Sequence, residues 1–167
     1  MMRSRQGQAM VEFTLVATLF LLVLLAIIDF SWLFTVRTQT FQAARAGARY
    51  AAVHPTAWSN APNPSNATIE GQLRANLSTT SLPNDDAHIA ITYWVPGSGS
   101  SETECGHYSA TSNRFVPAGT YTQGTCLLPG TLIQVQATYT YTFITPLLKA
   151  TLPGPSITAL GAVMEEV

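Results

Sequence analysis

A long apolar run near the N-terminus constrains this chain more than any other feature. Sixteen residues from Phe13 to Ile28 contain no charge, and apolar residues continue beyond Asp29 as far as Phe34. A helix that spans a bilayer needs about 20 predominantly apolar residues, and a tryptophan such as Trp32 suits the membrane interface. We therefore expect a transmembrane helix over residues 8–34.

A cleaved secretory signal is the alternative for this run, because Arg3 and Arg5 form a basic segment ahead of it. Its apolar part exceeds the usual length of about 7–15 residues, and the first small-x-small site, Ala44 to Ala46, lies too far downstream. A retained anchor is the better interpretation. The arginines place a short leader, residues 1–7, in the cytoplasm and the C-terminal part outside the membrane.

The composition allows one modest domain beyond the anchor, since 47% of the 167 residues are hydrophobic and 10% are charged. From His54 onward three basic residues face seven acidic ones. Such a mildly acidic domain offers no basic surface for a phosphate backbone, which argues against nucleic acid as a partner.

Helical character continues past the membrane in an alanine-rich stretch without proline. We expect one helix from about Ala9 to Val53, with residues 35–54 projecting from the membrane and Pro55 ending the helix. Gly47 costs about 1 kcal/mol relative to alanine in a helix. The small residues around it would let another backbone approach closely, so close packing is a reasonable explanation for this glycine. Three arginines at multiples of four residues form a basic stripe, which is either a solvated face or a contact row toward acidic neighbours: Arg37, Arg45 and Arg49.

Residues 55–167 are predicted to form an α+β domain. A loop over 54–67 precedes a short helix that Ser65 or Asn66 caps and that carries Ile69, Leu73 and Leu77 on one side. Three segments with strand-like alternation follow: 88–95, 132–143 and, more weakly, 157–164. We expect a small antiparallel sheet whose apolar face packs on the projecting helix, with a turn before the last strand.

The two cysteines, Cys105 and Cys126, lie in the part expected outside the membrane. A disulfide in an oxidising compartment is the simpler interpretation, since a metal site would need more ligands at chelating spacing. Asp85 and Asp86 indicate a turn. No motif of a catalytic site appears, and we predict no enzyme, no cofactor, no metal and no small-molecule substrate.

Two carboxylates flank the apolar run. Glu12 and Asp29 are seventeen residues apart, which is about 25 Å along a helix and close to the hydrocarbon thickness of about 30 Å. They are either interfacial carboxylates that the membrane tolerates or functional groups with a partner.

The segment "GQAMVEFTLVATLFLLVLLAIIDFSWLF" resembles the N-terminus of TadE-like pseudopilins, minor components of the tight-adherence branch of type IV pilus machinery. "QAARAGARYAA" resembles the helix that follows the membrane in that family, and "VQATYTYTFITPLL" resembles a strand ending in aromatic residues and proline. The resemblance implies a pilin-like structural component of the bacterial inner membrane, with other pilins or pseudopilins and a prepilin peptidase as partners.

The resemblance also implies residue roles. The family's peptidase cuts after a glycine such as Gly7, which makes Gln8 the first residue, and the glutamate five residues beyond the cut corresponds to Glu12. Asp29 matches the acid in "IIDF", without a role that the sequence provides. Phe13 stands where major pilins of this branch often carry tyrosine, which favours a minor subunit. A membrane-tethered binding or adhesion module, using the loop between the cysteines and no filament, is the alternative.

Overall fold

The computed structural model describes residues 4–96 and 101–164. These residues form the predicted α+β fold, with a long N-terminal helix, short helices and an antiparallel sheet. The elements in chain order are α1 (Ser4–Val53), α2 (Ile69–Ala75), β1 (Ile89–Pro96), β2 (Glu102–Ser109), β3 (Arg114–Pro117), α3 (Gln123–Cys126), β4 (Leu132–Thr140), α4 (Pro146–Thr151) and β5 (Ser156–Met164).

Helix α1 ends at Val53, as the following His54–Pro55 pair predicts, but it begins at Ser4 and not near Ala9. The stretch Gly7–Val53 is long and apolar enough to cross a membrane, with a mean hydropathy of 2.7 in its apolar window and no part of that window buried inside the protein. Apolar side chains exposed throughout this window indicate a covering of lipid or protein.

Tertiary contacts divide the chain into two compact units. The first unit comprises the chain up to Thr35 together with Tyr141–Pro155, and the second comprises Val36–Thr140 together with the chain from Ser156 onward. Helix α1 contributes its first part to one unit and its second part to the other.

The sheet of the second unit has the order β3-β2-β1-β4-β5 and is antiparallel throughout. The three predicted strands lie side by side, with Val135 of β4 opposite Ile91 on one side and Gly161 on the other. Strands β2 and β3 were not predicted. Strand β2 is polar and contains Gly106, and β3 has four residues, so neither shows the alternation that reveals β1 and β4.

The inner face of this sheet packs on the second part of α1, which confirms the prediction. Residues alternate between buried and more exposed along β4 and β5. Helix α1 contributes small side chains to the same core, and α2 contributes Ile69 and Leu73. At Gly161 the helix approaches the strand so closely that an added Cβ would lie against the backbone carbonyl of Ala44. The alanines of the helix that belong to this core are Ala43, Ala44, Ala48 and Ala51.

Three local predictions were wrong. Helix α2 is capped by Thr68, whose side chain accepts a hydrogen bond from the Gly71 N–H, and not by Ser65 or Asn66. Strand β4 ends at Thr140, so the aromatic residues after it leave the sheet. The expected turn contains helix α4, which begins at a proline because proline fits the first turn of a helix.

Cys105 of β2 and Cys126 of α3 form the predicted disulfide, with their Cα atoms 5.6 Å apart. Both side chains are fully buried in the core of the second unit. The bridge fixes α3 to the sheet strand that has the least apolar sequence.

Candidate functional site

The N-terminal part of α1 is an apolar surface that carries one carboxylate. Glu12 is exposed, and its Oε1 accepts a hydrogen bond from Gln8 Nε2 at 3.2 Å. Its neighbours Met10 and Phe13 are each 73% exposed. Among the side chains that the structure describes, Glu12 forms no ion pair, and it stands exposed among uncovered apolar side chains.

Gly7 lies inside α1, and the peptide bond between Gly7 and Gln8 is helical. A Cβ added at Gly7 would meet no atom within 4 Å. Packing therefore does not explain a glycine at this position, and its effect on the helix is to lower local stability by about 1 kcal/mol relative to alanine.

Asp29 has a role that the sequence did not provide. Its side chain is fully buried, and its carboxylate binds two consecutive backbone N–H groups of the chain that follows β4. Oδ1 accepts from the Ile144 N–H at 2.9 Å, and Oδ2 accepts from the Thr145 N–H at 3.1 Å. Hydrogen bonds to a charged acceptor are about twice as strong as neutral ones, so Asp29 fixes the backbone just before α4.

Further contacts close this segment into a loop. Tyr141 Oη donates to the backbone carbonyl of Asp29 at 3.2 Å, and the Tyr141 N–H donates to the Pro155 carbonyl at 3.0 Å. Gly154 lies directly against the carbonyl of Tyr141, where a Cβ would not fit. We call the segment Tyr141–Pro155 the clamp loop. Asp29 binds its backbone, and the hydrogen bond between Tyr141 and Pro155 joins its two ends.

The residues predicted for subunit packing have different surroundings. The three arginines are exposed, and the Arg37 guanidinium lies 5.9 Å from the centroid of the Phe41 ring. Gly47 is buried, and a Cβ there would lie 3.3 Å from Val135 Cγ1 and 3.4 Å from Leu73 Cβ. The close packing that Gly47 permits is thus made within the chain's own second unit. The exposed arginines are Arg37, Arg45 and Arg49.

Sequence reasoning missed one buried acid, Glu70 in the first turn of α2. It is 1% exposed, and burial raises its pKa to about 7 although the Ser59 N–H donates to it. An acidic residue in the first turn of a helix normally indicates a solvated position, so the pattern gave no signal of burial. Among the described residues, no cluster of histidine, cysteine and acidic side chains could hold a metal ion.

Residues 7–49 match the family model of TadE-like proteins. This part of the chain is similar to TadE-like proteins. The match covers Gly7, Glu12, Asp29 and the arginine stripe, and it confirms the resemblance for this part of the chain. It supports a pilin-like component of a Tad system, and TadE-like proteins are a pilin-type structural family. No curated protein and no solved structure gives a significant match.

Proposed function

We propose that this chain is a minor pilin-like subunit of a Tad-type pilus or secretion filament. It crosses the bacterial inner membrane once over residues 8–34, with its N-terminus in the cytoplasm and its sheet-containing unit outside. The TadE-like match at residues 7–49 carries the proposal, because it includes the whole apolar part of α1 and both of its carboxylates.

A prepilin peptidase cleaves the chain between Gly7 and Gln8 in this proposal. Because the bond is helical in the uncleaved chain, the first turns of α1 must open for the peptidase to reach it. Gly7 lowers the free energy of that opening by about 1 kcal/mol relative to alanine, and its surroundings are free of packed side chains. The glycine thus supports both recognition and local unwinding.

Cleavage creates a cationic partner for Glu12. The new α-amino group of Gln8 has a reference pKa near 8, and the two arginines of the leader are removed. A carboxylate within a bilayer helix costs about 2.5–3.5 kcal/mol, and an ammonium group of a neighbouring subunit offsets that cost in an assembled helical array. The exposed position of Glu12 leaves it accessible to such a neighbour.

The exposed arginine stripe provides a second subunit contact. Arg37, Arg45 and Arg49 lie on the uncovered side of α1 in the second unit and face acidic groups of adjacent subunits in the filament. Exposed ion pairs contribute about 0–1 kcal/mol each, so this contact sets orientation more than affinity.

Processing tests the proposal directly. Mass spectrometry of the protein from native membranes should give Gln8 as the first residue when the peptidase is active. Gly7→Val should leave the precursor uncut, because the proposed cleavage requires a glycine before the bond. The variant should still insert into the membrane, because a larger side chain at this position meets no packed atom. An intact N-terminus in peptidase-positive cells would contradict pilin-type maturation and favour a membrane-tethered binding module.

Glu12→Ala tests assembly separately from cleavage. We expect normal cleavage and severalfold less protein in sheared filaments, since the ammonium of the neighbouring subunit loses its partner. Glu102→Ala, which removes an exposed carboxylate from β2, is the matched control for the loss of one negative charge and should reduce incorporation far less, because an exposed ion pair contributes little. Normal incorporation of Glu12→Ala would exclude the ion pair.

A further inference from the structure

The clamp loop lies beside the apolar helix and not at its end. Thr145 and Leu148 of the loop line an apolar groove of about 180 Å³ together with residues of α1, including Leu22 and Leu25. These two leucines precede Asp29 by seven and four residues, so they lie about 10 Å and 6 Å farther into the span along the helix axis. Helix α4 therefore lies alongside the hydrocarbon-spanning part of α1.

The clamp loop also exposes large apolar side chains. Ile144 is 61% exposed and Leu152 is 46% exposed, although both belong to the unit that contains the span. A six-residue helix has little stability of its own in water, so it depends on what packs around it. The membrane span packs against one side of helix α4, and the medium that surrounds the span at the same depth contacts the other side.

The backbone of the clamp loop is suited to a medium without water. Three of its residues are prolines, which have no N–H group: Pro146, Pro153 and Pro155. Asp29 accepts the N–H groups of Ile144 and Thr145, and the Pro155 carbonyl accepts that of Tyr141. Each unsatisfied polar group in the hydrocarbon region costs several kcal/mol, so these arrangements lower the cost of insertion.

We infer that the clamp loop is a second, re-entrant membrane anchor. Helix α4 inserts among the acyl chains of the leaflet at the C-terminal end of the span, and Asp29 holds the inserted loop against α1. Lys149, which is exposed on α4, extends toward the headgroups. This inference rests on the membrane span of the proposed function and adds a lipid contact made by residues far from it in sequence.

Depth-dependent quenching tests the inference on the full chain in phosphatidylcholine and phosphatidylglycerol vesicles. Leu152→Cys carries an environment-sensitive fluorophore, and the native cysteines do not react because they are bridged. With spin-labelled lipids, this fluorophore should lose about half or more of its emission, as for a group about 5–10 Å below the headgroup boundary. Leu160→Cys is the matched control, since Leu160 of β5 is 48% exposed and should show little quenching.

A label at Val23→Cys separates failure of the inference from failure of the span. Val23 is 50% exposed in the centre of the apolar run and should be quenched strongly. Quenching at residue 23 without quenching at residue 152 would overturn the re-entrant anchor and leave the proposed function intact. Absence of quenching at residue 23 would contradict the span itself, and with it both proposals.

Asp29→Asn tests the clamp. The amide keeps the size of the side chain, but it replaces one acceptor oxygen with a donor group that faces a backbone N–H. Quenching at residue 152 should fall at least twofold while quenching at residue 23 stays unchanged. Glu12→Gln, the same change at the other acid of the span, should alter neither. Unchanged quenching in Asp29→Asn would contradict the role of Asp29, and the two labels in the native background decide insertion if that variant does not fold.

Discussion

Glu70 accepts a hydrogen bond from the Ser59 backbone N–H at 3.1 Å through Oε2, while its Oε1 is buried without a hydrogen-bond partner among the described residues. One N–H donor does not compensate a carboxylate for the loss of water. Burial therefore raises the pKa of Glu70 to about 7. Burial also raises the pKa of Tyr108 to about 12, and the negative charge of Glu70 adds to this rise.

The second unit should lose stability as the pH rises from about 4.5 to about 7. Because the pKa of Glu70 is higher in the folded than in the unfolded state, its stabilising effect is complete below the unfolded value and is lost as the pH passes the folded value. A shift of this size corresponds to about 3 kcal/mol. Denaturant unfolding of the full chain in detergent, followed by the fluorescence of Trp58 and Trp94, measures the change.

Glu70→Gln isolates this effect from other titrating groups. The amide stays neutral, so the variant should exceed the native chain in unfolding free energy at pH 8 by about 1–3 kcal/mol and approach it at pH 4.5. Every other ionisable group is the same in the two proteins, so its contribution cancels in the difference. A difference that does not depend on pH would contradict the assignment to Glu70.

Gly161→Ala should destabilise the second unit by about 1–3 kcal/mol, the usual range for overpacking. The new methyl group would lie against the Ala44 carbonyl and press α1 away from β5. Gly124→Ala is the matched control, because a Cβ there meets nothing within 4 Å and alanine suits helix α3. Thermal unfolding that shows equal midpoints for the two variants would argue against close helix–strand packing.

The sequence predicts those parts of the fold in which local pattern and tertiary packing agree. The alternation of β4 and the Pro55 stop of α1 are local signals, and the structure has both. Strand β2 has a different origin, since it depends on pairing with β1 and on the Phe115 ring that covers Gly106. No local pattern contains those long-range contacts.

The candidate site shows the same division. The proposed peptidase and assembly positions lie within one continuous motif, residues 7–49, so the resemblance could suggest them. Asp29 could be noticed as an acid in an apolar helix, but its partners lie more than 110 positions away in sequence. Glu70 gave no signal at all, because its burial arises from the loop that contains Ser59.

Tyr93→Phe should cost about 1–3 kcal/mol, because the buried Tyr93 hydroxyl serves two partners. It accepts from Trp58 Nε1 at 2.7 Å and donates to the Pro55 carbonyl at 2.6 Å, which ties the loop after α1 to β1. The half-buried Tyr139→Phe is the control and should change stability by less than about 0.5 kcal/mol. Denaturant unfolding gives the free energy of unfolding of both variants. A change in the wavelength of tryptophan emission in Tyr93→Phe, and not in Tyr139→Phe, would report the lost contact with Trp58.

Removal of the disulfide should weaken the second unit without changing its fold. The bridge joins residues 21 positions apart, and closing a loop of this size stabilises a protein by about 3 kcal/mol in the chain-entropy account. The double substitution Cys105→Ser and Cys126→Ser should therefore lower the unfolding free energy by about 3 kcal/mol, with the polar hydroxyls in the core adding to the loss.

Cys105→Ala with Cys126→Ala separates the two contributions, since it removes the bridge and leaves the site apolar. Both variants should retain the β-sheet signal in circular dichroism at low temperature, and a double alanine variant as stable as the native chain would show that the bridge contributes nothing to the fold.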